Sequence, residues 1–291
     1  MDLPIVVVAG LFTGGIYALV AVGLNLVFGV IRVVNFAHGE FVMFGMYGAY
    51  VASLWWGLGP YISSWLIVVP VTFVLGVLIQ KFVIQPLLRQ HLMQIFATFG
   101  LLILFQNIAL AATRGETLTV KSSSSSSSIE VFGLSLDVTR LIVLIVAVIF
   151  TGAIMLFLRT SIYGVAMRAV SQDRATATLM GINVNRTYAV VFGASTAIAA
   201  FAGALISPAY SVTPTIGLSF ALPAFAVVIL GGLGSVGGSL VGGLIVGVVE
   251  ALSGYYIDPA LKQAVWFVLF LAVLIIRPAG LFGQRGDVEM D

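Results

Sequence analysis

Long uncharged apolar blocks, set apart by short polar clusters, divide this chain. No Asp, Glu, Lys or Arg falls between Asp2 and Arg32, between Glu40 and Lys81, or between Arg186 and Glu250. A helix needs roughly 20 apolar residues to cross a bilayer, so these blocks predict one, two, and two or three spans. The expected spans lie near Ile5–Val30, Phe41–Leu58, Ile62–Ile79, Phe96–Ala112, Leu141–Leu158, Tyr188–Ile206, Leu218–Leu233, Ser239–Tyr255 and Ala264–Ile276. Either glycine-rich break can be read as a turn or as a re-entrant elbow, which leaves eight or nine crossings. The pattern predicts an all-α, polytopic helical bundle with Gly-interrupted helices, forming one transmembrane domain over residues 1–291.

Two polar segments stand apart. In residues 113–140, Thr117–Val120 and Ile129–Phe132 alternate enough for a two-stranded flap, with the serine run Ser122–Ser128 as its tip. In Arg159–Thr187, the stretch Ser171–Asn183 predicts a short helix outside the membrane. Ser171 is its expected cap, Asp173 sits in its first turn, and Gly181 closes it in a left-handed conformation under Ile182. Ala175, Leu179 and Met180 give it an apolar face. Composition leaves two readings open: a helix that fills a groove on a partner, or a connector resting on the inner leaflet.

Only 8% of the residues are charged and the mean hydropathy is +1.16, too apolar for a water-soluble domain of this length. The net charge of +2 gives no nucleic-acid footprint. With Cys 0, thiolate metal sites and disulfides are excluded, and His38 and His91 alone cannot build a histidine cage. Asp2 replaces the basic flank that a cleavable leader would carry. Placing the N-terminus outside gathers Arg32, Lys81, Arg89, Arg159, Arg168, Arg174, Arg186, Arg277 and Arg285 on the cytoplasmic side. Only Arg114, Lys121, Arg140 and Lys262 then remain outside, so the expected orientation is N-out and C-in.

The run Gly231, Gly232, Gly234, Gly237 and Gly238 contains a formal dinucleotide fingerprint, but it lies inside an uncharged block with no soluble βαβ unit around it. It reads instead as a helix break, while Gly10…Gly14, Gly238…Gly242, Gly243…Gly247 and Ala199…Gly203 read as small-residue packing pairs. No Gly-x-x-x-x-Gly-Lys-Ser/Thr is present. Asn35, His38 and Glu40 are polar residues between two spans. They read either as an unwound segment lining a pathway or gate, or as a tight turn capped by Asn35. Glu250, a lone carboxylate near a helix end, is a further pathway or gate candidate, and Gln106 and Asn107 form a polar pair suited to bonding between helices or to substrate contact. No catalytic constellation is visible, so no enzyme is expected.

Asn35-Phe-Ala-His-Gly-Glu-Phe-Val-Met43 with Gly48-Ala-Tyr50 resembles a signature of the branched-chain amino-acid ABC importer permeases, LivH-type. The resemblance continues through Gly164-Val-Ala-Met-Arg-Ala169, Leu179-Met-Gly-Ile-Asn183, Leu230-Gly-Gly-Leu-Gly-Ser235 and Arg277-Pro-Ala-Gly-Leu-Phe-Gly283. It implies a permease in a bacterial or archaeal plasma membrane that imports leucine, isoleucine or valine. The implied partners are a second, homologous permease, two ATP-binding subunits and an extracytoplasmic binding protein. ATP and magnesium would sit on those partner subunits, with no cofactor in this chain and no nucleic acid. The segment 168–183 would be the coupling helix, with Arg168, Asp173, Arg174, Leu179, Met180 and Gly181 meeting the ATPase. A relative carrying urea or short amides has similar blocks, and a gradient-driven secondary transporter is the rival from another class.

Overall fold

The structure, a computed structural model, describes residues 3–120, 128–131, 134–277 and 279–283. Asp2, Lys121, Ser122 to Ser127, Phe132, Pro278 and Arg285, on which some expectations above draw, lie outside the described residues.

The helices in chain order are α1 (Leu3–Val30), α2 (His38–Trp56), α3 (Pro60–Ser63), α4 (Val69–Ile79), α5 (His91–Thr113), α6 (Val138–Thr160), α7 (Ile162–Gln172), α8 (Arg174–Leu179), α9 (Val184–Ile206), α10 (Ile216–Gly231), α11 (Val236–Tyr256) and α12 (Lys262–Ile276). Each segment expected to span is helical. Six helical runs are long and apolar enough to cross a membrane, with α10 and α12 shorter. The second of these runs is continuous from Pro60 to Leu87 but not uniform. Its π-turns, Ser64–Val68 and Gln80–Ile84, lie just ahead of Pro70 and Pro86. A proline offers no N–H and its ring crowds the carbonyl one turn back, so the wider turn relieves the clash without ending the helix.

Helix α1 is the axis of the bundle: every residue from Gly14 to Val27 is buried. It packs against α6, α9, α10 and α11, and the seam with α11 is built from glycines. A methyl group on Gly14 would stand 2.7 Å from the Gly243 carbonyl oxygen and the Leu244 Cα, and one on Gly243 would stand 2.7 Å from the backbone of Ala18. Backbones this close contact over their full width, which substitutes for the hydrophobic force that lipid cannot supply. Helices α2 and α9 cross in the same way, Gly45 against Ala200 and Gly203 against Val42.

The outer helices bury little. Helix α6 buries Thr139, Val143, Ala147 and Thr151, one stripe at a spacing of four, and leaves apolar side chains such as Ile145, Ile149 and Leu156 exposed. An apolar surface of this extent requires lipid or a partner to cover it.

The expected flap forms with a different partner. Strand β1 (Ser128–Val131) pairs antiparallel with β2 (Leu134–Asp137), Ile129 opposite Leu136. Thr117–Val120 does not join it; Leu118 instead exchanges backbone bonds of 3.0 and 2.8 Å with Val212. Closing a hairpin between adjacent segments costs less chain entropy than reaching back across the serine run.

Candidate functional site

At one end of the bundle, α6 ends and the chain lies across the helix ends as α7 and α8. Ser161 caps α7, its Oγ accepting from the Gly164 N–H at 2.9 Å. Asp173, rather than Ser171, opens the second helix, its Oδ1 accepting from the N–H groups of Ala175 at 2.8 Å and Thr176 at 3.2 Å. The Thr176 hydroxyl also donates to Asp173. That bond first, then the backbone bonds, hold the carboxyl below its usual range. Ser171 falls inside α7, where its hydroxyl donates to the Arg168 carbonyl at 2.8 Å. The expected single helix is therefore two, because the carboxylate of Asp173 is the stronger acceptor for free N–H groups. At the far end Gly181 has φ +84°. The Ile182 N–H reaches the Ala177 carbonyl and the Gly181 N–H reaches that of Thr178, both at 3.0 Å, the paired closure expected of a glycine stop.

This capping presents Leu179 and Met180, 87% and 77% exposed, at the tip of the ledge, with Ile162 at 86% beside the turn into α7. Both arginines are exposed, yet each has a partner on the bundle. Arg168 donates to the Leu158 carbonyl at 2.6 Å and to Arg159 at 3.4 Å, closing the C-terminus of α6. Arg174 stands 5.7 Å over the ring of Tyr188 on α9.

The glycine break adjoins the same end. Gly231 is the last residue of α10, Gly232 and Gly234 carry φ of +105° and +78°, and Gly237 and Gly238 lie in the first turn of α11. A residue that sequence reasoning missed holds it. Asn25, fully buried on α1, donates through Nδ2 to the carbonyls of Gly232 (3.1 Å) and Ser235 (2.8 Å) and to Ser239 Oγ (2.7 Å). Its Oδ1 accepts the Gly234 N–H at 2.5 Å. A lone asparagine in an apolar helix was the available signal. Leu281 and Phe282 add backbone bonds to Leu230 and Gly231, at 2.8 and 3.1 Å.

Asn35, His38 and Glu40 are buried together where α2 begins. Asn35 Oδ1 accepts the Ala37 N–H at 3.1 Å in a local turn and gives α2 no side-chain cap. His38 Nε2 lies 3.0 Å from the Val20 carbonyl of α1. Glu40 Oε1 accepts from Gln106 of α5 at 3.0 Å, leaving Oε2 without a partner among the described residues, whereas Asn107 bonds within its own helix, to Ile103. Glu250 belongs to a separate group. Tyr17 donates to its Oε2 at 2.9 Å and Lys262 of α12 stands 3.5 Å from its Oε1. The structure thus unites the six ledge residues and the glycine break at one end, and ties the four polar candidates into two unconnected clusters. No group of three or more potential metal ligands occurs among the described residues.

A family model described as branched-chain amino acid transport system / permease component matches residues 6–274. The high-affinity branched-chain amino acid transport system permease protein LivH of Salmonella typhimurium is 33% identical, over 96% of this chain and 95% of its own. The corresponding protein BraD of Pseudomonas aeruginosa is 31% identical over 97% and 96%. A probable branched-chain amino acid transport permease protein LivH of Methanocaldococcus jannaschii is 28% identical over 91% and 88%. No solved structure matches. A multi-pass helical bundle with a ledge of short helices at one end, matched along nearly its whole length, belongs to the branched-chain amino acid transport system permease component family.

Proposed function

We propose that this chain is the membrane-spanning permease subunit of an ATP-driven importer of branched-chain amino acids. The family and the named activities of its relatives support the cargo. The observation that carries the mechanism is the ledge of α7 and α8, a capped, outward-facing apolar tip of Leu179 and Met180. A surface of that kind suits a groove on a separate ATP-binding subunit, where ATP and magnesium would reside. Closure of two such subunits would push the ledge. The push would pass through Arg168 to α6 and through Arg174 and Tyr188 to α9. The second permease and an extracytoplasmic binding protein complete the assembly. In this reading the chain crosses an inner membrane nine times, N-out and C-in, with residues 113–140 outside and 168–183 in the cytoplasm. Asn35, His38, Glu40 and Glu250 serve as pathway or gate residues by position, and the glycine break is the joint about which α10 and α11 tilt.

Leucine uptake in cells lacking this chain, with and without its restoration beside its partners, tests the proposal. Restored uptake that isoleucine blocks and ATP depletion abolishes, with the ion gradient intact, is the expected result. Uptake that survives ATP depletion but dies with an uncoupler would overturn it in favour of a gradient-driven carrier. ATP-driven uptake of urea without leucine would overturn the cargo. Arg174→Glu is expected to abolish uptake while leaving membrane insertion at the wild-type level, and undiminished uptake would remove Arg174 from the coupling route.

A further inference from the structure

Away from the ledge, α2 and α5 face each other across a cavity of about 560 Å³. That lies within the roughly 300–1,000 Å³ typical of small-molecule sites. On α2, Phe44, Tyr47 and Val51 recur at spacings of three and four, so they share one face; on α5, Ala109 and Ala112 do the same. Below this level along the same two helices, the bond from Gln106 to Glu40 and the contact of Phe44 with Phe105, ring centroids 4.9 Å apart, close the floor. Above, Leu118 forms a roof, held in place by its paired bonds to Val212. The cavity is therefore built by three separate parts of the chain.

Its walls are apolar apart from the hydroxyls of Tyr47, Tyr50 and Thr113, and at the exposed rim Arg114 and Glu116 bring opposite charges to the same short turn. Arg114 is also the left-handed cap of α5, φ +53°. The rim thus coincides with the C-terminal end of a helix, whose free carbonyls favour a cation. A ligand matching this arrangement carries one anionic and one cationic group close together on an uncharged aliphatic body. A charged side chain would lose hydration against Phe44 and Val51 without gaining an opposite charge, and an uncharged solute would leave both rim charges unused.

We infer that the cavity between α2 and α5 is an entry site for a zwitterionic α-amino acid with an aliphatic side chain. Arg114 takes the carboxylate, Glu116 and the α5 terminus take the ammonium, and Phe44, Val51, Ile108 and Ala109 take the side chain. The inference rests on the importer reading and places the cargo's first contact with this chain.

The natural chain has no cysteine, so Ala112→Cys introduces its sole thiol, and Val51→Cys reports from the facing wall. In proteoliposomes holding the assembled transporter, the rate at which a charged thiol reagent modifies each variant is followed while L-leucine is raised. Slowing of at least fivefold by leucine is expected at both positions. L-leucinol, which lacks the carboxylate, and 4-methylpentanoate, which lacks the ammonium, should have little effect. Ala111→Cys, on the same turn but outside the cavity, should react at an unchanged rate. Adding Arg114→Ala to Ala112→Cys should raise the leucine needed for half-protection at least tenfold. Equal protection by both analogues overturns the zwitterion assignment. Uptake of leucine by the wild-type assembly without protection overturns the site alone, whereas absence of leucine uptake overturns the importer reading beneath it.

Discussion

Asn25 shows how much a single side chain can organise in an apolar setting. Its acceptor oxygen is fixed by the Gly234 N–H, so the amide can point only one way, with both N–H groups aimed at the break. Asn25→Leu keeps the volume but strands the Gly234 N–H and two carbonyls, each costing about 1–3 kcal/mol when buried. A loss of about 3 kcal/mol or more is expected, read as a lower thermal midpoint in detergent; an unchanged midpoint would show that the break holds without α1. Nothing in the sequence announced this partnership, since the bonded residues are more than two hundred positions apart. The opposite holds for Glu40 and Gln106, both visible as polar residues in apolar surroundings. Their pairing was not visible, because helical periodicity fixes faces and not neighbours.

Among elements, the seam of α1 and α11 and the split between α7 and α8 behave differently. Gly14→Leu must separate two backbones already in contact, so destabilisation of several kcal/mol is expected, seen as loss of folded protein after detergent extraction. Gly100→Leu, at a position where a side chain meets nothing, should extract like the wild type. In α8 the cap is exposed, so the expected loss is one of order. Asp173→Ala should increase proteolysis between Gln172 and Gly181 and reduce ATP-coupled uptake. The same cap has a pH dependence of known sign. The Asp173 pKa is lowered in the folded chain, so its contribution is complete above the ordinary carboxylate range and disappears as the pH falls through the lowered value. Fraying of α8 is therefore expected only under strongly acidic conditions, and fraying already at neutral pH would contradict the capping role. The glycine seam was legible as small residues four apart. The division at Asp173 was not, because Ser171 and Asp173 are both good caps and backbone geometry decides between them.

For the whole molecule, the order of apolar blocks carried the architecture: each expected span is a helix. What the blocks could not supply is depth. Helix α2 begins beside Val20, well inside α1 rather than at its end, and it is not among the six runs that length and composition alone would select. The two ends of the bundle also differ in charge. Arg32, Arg168, Arg174 and Arg186 lie on or beside the ledge end, while Arg114, Arg140 and Lys262 lie at helix ends on the other. Short loops rich in Lys and Arg stay in the cytoplasm. Single cysteines at Thr178 and Thr117 should therefore react with a membrane-impermeant reagent in inverted vesicles and in intact cells respectively; the reverse pattern would invert the proposed orientation.

The seam between α1 and α11 also has a dimension in time. Tyr17 and Glu250 meet across 233 positions of sequence. At roughly 5–20 residues per second of synthesis, α1 waits on the order of ten to fifty seconds before its glycine face can meet its partner. During that interval the helix whose stretch from Gly14 to Val27 is wholly buried in the finished protein is among its least protected. Lipid or the insertion machinery must cover that face until then, and slower translation is expected to lower the yield of folded chain.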